Sequence, residues 1–233
     1  MKPAAIALAL ALLAPGPGAG LPRFQAGQQN VVPVREEPRH HLVLDNGDVR
    51  AYDVVVPAGQ STLFHLHALD YVYVVLGEAT LKSEVLGEAP ADLPVHGGEV
   101  RFTPGPVTHR VMNVGTTPFH NITVEMVRPR SQSPRALPAL APGAPETVVL
   151  DNDRVRVTRV VLQPAEATPA RSLPARTLTV PLNAGTVRLD TAGRPARTIE
   201  LEAGKAEWNG QPLDQATRNL GRAAITIVYI ELK

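Results

Sequence analysis

The sequence predicts an all-β protein built from two tandem barrels, and three observations carry that expectation. The first is an internal repeat: Val43-Leu44-Asp45-Asn46 recurs as Val149-Leu150-Asp151-Asn152, an offset of 106 residues. The second is patterning, with short apolar or alternating runs separated by Gly, Pro, Asn and Asp, as strands joined by turns require. The third is composition: 23 prolines and 18 glycines in 233 residues suit many turns better than long helices.

The repeat keeps its register at Val49/Val155, Arg50/Arg156, Val54/Val160, Leu76/Leu182, Gly98/Gly204, Asn113/Asn219 and Glu125/Glu231. One register held over so long a stretch is not an accident of composition. Pro57 and Pro164 stand 107 apart, which reads as a one-residue slip regained before Val74/Val180. Residues 128–145 hold five prolines in eighteen positions and read as an extended linker. The expected organisation is a first barrel over 21–127, this linker, and a second barrel over 146–233. Strands are expected at 49–56, 70–76, 98–103, 108–114 and 119–127, with counterparts in the second copy. Residues 213–222 have a helical look locally, but their counterpart in the first copy argues for a strand.

Ahead of the repeat, Lys2, the apolar run from Ala4 to Ala14 and Pro15-Gly16-Pro17-Gly18-Ala19-Gly20 have the form of a secretory signal peptide over residues 1–20. The run is shorter than the ~20 apolar residues a bilayer span needs. The mature chain is therefore expected to be periplasmic or secreted, with no membrane segment after cleavage. Its charge is balanced, since 23 Lys and Arg face 22 Asp and Glu and Lys2 is removed. No basic run is present, so no nucleic-acid partner is expected, and the partner class is a small-molecule ligand or substrate. The absence of cysteine excludes disulfides, a thiol nucleophile, a zinc-finger cage and an iron–sulfur cluster. Any metal has to be held by histidine and carboxylate.

All seven histidines (40, 41, 65, 67, 96, 109 and 120) lie in the first copy. In Gly59-(five residues)-His65-Leu66-His67-Ala68-Leu69-Asp70-(six residues)-Gly77, the alternation of a strand puts His65 and His67 on one face. Asp70 opens the next strand after a turn. Gly98-(five residues)-Pro104-Gly105-Pro106-Val107-Thr108-His109-(three residues)-Asn113 brings His109 from a strand across the barrel. Three imidazoles and a carboxylate, His65, His67, His109 and Asp70, form a ligand set for one divalent first-row metal, and Fe, Mn, Ni, Zn and Cu all accept it. Strand phase groups Val72 and Val74 with Asp70, and Val111 with His109. With Asn113 and His120, these are the pocket-lining candidates. Tyr71 and Tyr73 are out of phase and expected outside the pocket. His40 and His41 are expected at the surface and His96 in a solvated turn. Glu99 and Glu125 are candidate general bases, both expected at the surface, and no residue is assigned as catalytic.

The two histidine-bearing segments resemble the paired motifs of the cupin superfamily, and because the resemblance extends over each repeat the chain resembles a bicupin. The resemblance implies two jelly-roll barrels and one mononuclear metal site. Two departures stand out. Asp70 replaces the usual glutamate, one residue nearer His67 than in the commonest form, and Pro106 stands where the second motif normally has glycine. The second copy lacks the set. Gln215 stands at the place of His109, Arg171 or Ser172 at that of His65, Leu173 or Pro174 at that of His67, and Arg176 or Thr177 at that of Asp70. The C-terminal barrel is thus expected to be metal-free and to serve packing or a homodimer; a ligand there would implicate Arg171 and Arg176. The implied function is a metal-dependent enzyme, dioxygenase-, decarboxylase- or isomerase-like, acting on a small oxygenated substrate. The alternative is a non-catalytic holder of a metal or small ligand.

Overall fold

The computed structural model describes residues 30–233. The expected signal peptide lies outside the described residues. The first copy folds into ten strands: β1 (Val31–Pro33), β2 (His40–Asp45), β3 (Val49–Val56), β4 (Phe64–His67), β5 (Tyr71–Val75), β6 (Ala79–Val85), β7 (Ala91–Val95), β8 (Val100–Thr103), β9 (Val107–Asn113) and β10 (Phe119–Met126). They form two facing sheets of order β1-β4-β9-β6-β7 and β2-β3-β10-β5-β8, which is the jelly-roll layout. The second copy supplies β11 (Glu146–Asp151), β12 (Val155–Leu162), β13 (Arg171–Leu173), β14 (Thr177–Pro181), β15 (Gly185–Thr191), β16 (Arg197–Leu201), β17 (Glu207–Asn209), β18 (Leu213–Asn219) and β19 (Ile225–Leu232). Its sheets run β11-β12-β19-β14-β17 and β13-β18-β15-β16. Residues 213–219 are a strand, as their counterpart in the first copy required.

The offset of the repeat never slips. His65 lies opposite His109 in one barrel, and Arg171 lies opposite Gln215 in the other. The Gln60 amide bonds the Pro57 carbonyl, and the Glu166 amide bonds the Gln163 carbonyl. The counterpart of Pro57 is therefore Gln163. Pro164 is a separate residue in the second position of the turn, where its fixed φ is favoured. His65, His67 and Asp70 correspond to Arg171, Leu173 and Arg176.

Alternating strands normally show one face to water, but β5 and β10 are buried on both faces. Val72 and Val74 of β5 and Ile122, Val124 and Met126 of β10 join Val157, Leu178, Val180, Val228 and Ile230 in one apolar core between the barrels. Each such side chain contributes roughly 1.5–3 kcal/mol when fully buried. The contact is pseudo-twofold. Gly98, at φ +81°, would place a Cβ 3.3 Å from Leu182, and Gly204, at φ +77°, would place one 2.8 Å from Leu76. These two pairs are related by the repeat itself, as in an isologous dimer interface. The second barrel thus covers one sheet of the first, and the other face of that sheet is the interior of the first barrel.

Candidate metal centre

β4 turns His65 and His67 into the first barrel, where each is 1% exposed. β9 sets His109 beside His65, and β2, from the opposite sheet, adds His40. Ring centroids are 4.6 Å apart for His65–His109 and His40–His65, 5.0 Å for His65–His67 and 5.4 Å for His67–His109. One ring nitrogen from each of His40, His65 and His67 lies within 4.8 Å of the others. The outward nitrogens have acceptors: His40 Nδ1 is 2.6 Å from Glu37, His67 Nδ1 3.2 Å from Glu125, and His65 Nδ1 2.9 Å from the Leu63 carbonyl. Donation from Nδ1 fixes the tautomer and leaves a lone pair on Nε2.

The Nε2 atoms of His65 and His109 are buried without a partner. A buried acceptor left unpaired costs on the order of 1–3 kcal/mol unless something binds it. Burial, with the neighbouring imidazoles, pushes His65 down to about 2 and His109 to about 3; burial also lowers His67, against the opposing pull of Glu125. Neutral imidazoles with unpartnered Nε2 atoms fit a divalent cation. In metal-free protein these rings stay neutral, whereas the unfolded chain takes up protons near the ordinary histidine value of 6.5. The unfolded state then binds more protons in acid. The apo protein should accordingly hold its full stability above that value and lose up to ~1.4 kcal/mol per pH unit for each histidine below it. Urea melts of chelator-treated protein between about pH 7.5 and 5 check this; a flat midpoint would contradict it.

The residues around the rings correct several expectations. Asp70 is in phase with Val72 and Val74, but that face of β5 turns toward the second barrel. Its carboxylate lies 2.9 Å from Arg154 Nε and 3.2 Å from Arg130, and accepts the Gly105 amide at 3.0 Å. It does not line the cavity, and His40 stands beside the motif histidines in its stead. Val72 and Val74 belong to the inter-barrel core, whereas Tyr71 and Tyr73 face the interior, Tyr71 stacking on His67 at 4.1 Å. Val111 lines the cavity as expected. Asn113 is buried but turned into a loop, donating to the carbonyls of Val56 and Thr117. His120 points out of the barrel to Asp53 at 2.6 Å. His41 and His96 are exposed, in line with the sequence reading. Glu99 does not line the cavity itself but pairs with Arg101, which does.

His40, expected at the surface, is the ring the sequence reading missed, and Glu125, a candidate general base also expected at the surface, is buried. Glu125 is 2% exposed, bonded to Tyr52 at 3.2 Å as well as to His67. A signal for His40 existed: adjacent residues on a strand face opposite ways, so of His40 and His41 one had to point inward. The cavity that opens on the rings holds about 270 Å³, walled by Val54, Val56, Tyr73 and Phe119, with Arg101, Ser83, Asn121 and Thr123 among its polar groups.

Gly105, in the turn between β8 and β9, packs against the turn that carries Asp70. A Cβ there would meet the Leu69 carbonyl carbon and oxygen at 2.5 Å, and the Gly105–Pro106 bond is cis. Gly105→Ala should cost about 2 kcal/mol or more through this overpacking. Gly77→Ala, with open space around it, should change thermal stability by less than ~0.5 kcal/mol. Equal melting curves for the two variants would refute the close approach.

In the second barrel the same positions hold ion pairs. Arg171, at the place of His65, reaches Glu146 and Glu231 at 2.5 Å each, and Arg156 reaches Glu231 at 2.6 Å. Glu146 corresponds to His40 and Glu231 to Glu125. A guanidinium, held over the Tyr229 ring at 4.9 Å, occupies the position equivalent to His65 and brings its own positive charge.

Two jelly-roll barrels packed through a pseudo-twofold interface, one with a cluster of histidines, have the fold of a bicupin. Solved structures similar to the chain agree with this fold. AerE from Microcystis aeruginosa shares 12% identity, with 84% of this chain and 98% of that one covered and a TM-score of 0.58. A salicylate 1,2-dioxygenase from Pseudaminobacter salicylatoxidans shares 13%, covering 80% and 75%, with a TM-score of 0.54. An oxalate decarboxylase variant from Bacillus subtilis shares 10%, covering 79% and 68%, with a TM-score of 0.56. At these identities the likeness is one of fold. Neither a protein-family model nor a curated protein sequence matches the chain.

Proposed function

We propose that the first barrel holds one divalent transition metal on His40, His65, His67 and His109, and that the protein is an exported, metal-dependent enzyme acting on a small oxygenated substrate. The observation that carries this reading is the convergence of four imidazoles, two with unpartnered Nε2 atoms, at a cavity large enough for a small molecule. When bound, the metal supplies Lewis acidity and coordination positions open to a ligand. The protein's own groups do the rest. Glu37 and Glu125 hold protons on the Nδ1 atoms of His40 and His67, which keeps the Nε2 lone pairs facing inward. Tyr71 fixes the His67 ring by stacking. The valine, tyrosine and phenylalanine walls exclude water, while Asn121 and Thr123 offer hydrogen bonds to a substrate. With Asp70 engaged elsewhere the donors are all imidazole, which favours Fe, Ni, Cu or Zn over oxygen-preferring Mn.

Two of the similar structures bear names of enzymes acting on small carboxylates, salicylate and oxalate, in line with dioxygenase- or decarboxylase-like chemistry. Dioxygen uptake and carbon dioxide release from a panel of carboxylates and keto acids test the reading. Turnover should require the metal and vanish in His67→Ala while the fold, read by circular dichroism, survives. A bound metal with no turnover on any substrate would favour the non-catalytic metal holder instead.

A further inference from the structure

A second cavity lies between the barrels, against the linker, away from the histidines. It holds about 400 Å³ and is bordered by Arg128, Arg135, Arg154, Arg176, Lys233 and a single acidic side chain, Asp48. Counting the acids that touch them, five cations face Asp48, Asp70 and Asp151, a local excess in a chain with 23 basic and 22 acidic residues. Three of the five are partly neutralised: Arg128 by Asp48 at 3.2 Å, Arg154 by Asp70 at 2.9 Å, and Lys233 by Asp151. Arg135 and Arg176 have no acidic partner within 4.0 Å among the described residues. Like charges converging on a partly enclosed space repel one another, and a multivalent anion relieves that repulsion.

Arg176 adds a conformational argument. It sits at φ +66°, where glycine or asparagine would be relaxed. Two backbone bonds hold it there, from its own amide to Asn209 at 2.9 Å and from the Leu232 amide to its carbonyl at 3.0 Å. A guanidinium is thus kept at the cavity wall despite the strain, and guanidinium forks bind oxyanions in bidentate fashion. We propose that this inter-barrel cavity binds a small oxyanion carrying two or more negative charges, a phosphate ester or a polycarboxylate, with Arg135 and Arg176 as its direct partners.

Isothermal titration of the full chain with pyrophosphate and, separately, with citrate tests the site. A His65→Ala background keeps either anion from being captured by a bound metal. Binding is expected for at least one anion at low salt, weakening severalfold when salt is raised about tenfold. Preference for pyrophosphate identifies the phosphate class, and preference for citrate the carboxylate class. Arg135→Glu combined with Arg176→Asn, whose asparagine tolerates the left-handed backbone, should weaken binding at least ~10-fold with an unchanged melting temperature. Arg135→Ala alone, on the exposed linker, should weaken it severalfold. No heat from either anion at millimolar concentration, or affinity indifferent to these substitutions or to salt, would overturn the proposal.

Discussion

Arg171→Ala should destabilise the protein by about 3–5 kcal/mol, the usual consequence of removing one partner from a buried ion pair. The substitution would take from Glu146, 2% exposed at its side chain, the cation it pairs with, and leave Glu231, 0% exposed, with Arg156 alone. The melting temperature should fall by on the order of 10 °C. The ion-pair cluster contributes little net energy as a whole, because desolvation offsets most of the attraction. Replacing all four charges together, as Arg156→Met and Arg171→Met with Glu146→Gln and Glu231→Gln, should therefore recover most of the loss. Denaturant unfolding of the single and quadruple variants checks both statements. A single-variant effect below ~1 kcal/mol would mean that the guanidinium is dispensable.

The second large effect concerns metal affinity. His65→Ala removes an inward Nε2 donor and should weaken metal binding by well over the ~10–100-fold typical of losing an outer hydrogen-bond partner. Glu125→Gln removes such an outer partner, the carboxylate behind His67, and should fall inside that range. Asp70→Asn should leave affinity within about threefold, because its carboxylate serves Arg154 and Gly105 and does not line the cavity. Its effect should appear in stability, where Arg154, 7% exposed, loses its counter-charge. Competition titrations against a chromophoric chelator rank the three variants. A ranking with Asp70→Asn alongside His65→Ala would return Asp70 to the metal.

Much of the architecture was legible in the residues. The 106-residue repeat, the turn punctuation and the strand-spaced histidines led to two barrels and placed His65, His67 and His109 together. The phase along β5 was also read correctly, since Asp70, Val72 and Val74 do share a face. What the pattern could not say is which face is the barrel interior. A strand buried on both sides shows no polar face to orient it, and here the second barrel buries the outer one. Asp70 was therefore assigned to the metal although it faces the partner barrel, and Tyr71 and Tyr73 were assigned outside although they wall the cavity. Glu125 looked like a surface acid for a related reason. Its partners, Tyr52 and His67, lie 73 and 58 residues away in the chain, a separation that local pattern does not register. The apparent slip at Pro164 arose because prolines were matched to each other, whereas the turn positions were what the fold preserved.

The proposed all-imidazole metal centre of the first barrel leaves the Asp70 carboxylate at the interface. Anomalous diffraction at the absorption edge of a metal-loaded crystal locates the ion and its ligands together. A single strong peak per chain is expected, ~2.0–2.2 Å from Nε2 of His40, His65, His67 and His109, with the Asp70 carboxylate still on Arg154. A peak ligated by Asp70, or none among the four rings, would contradict it.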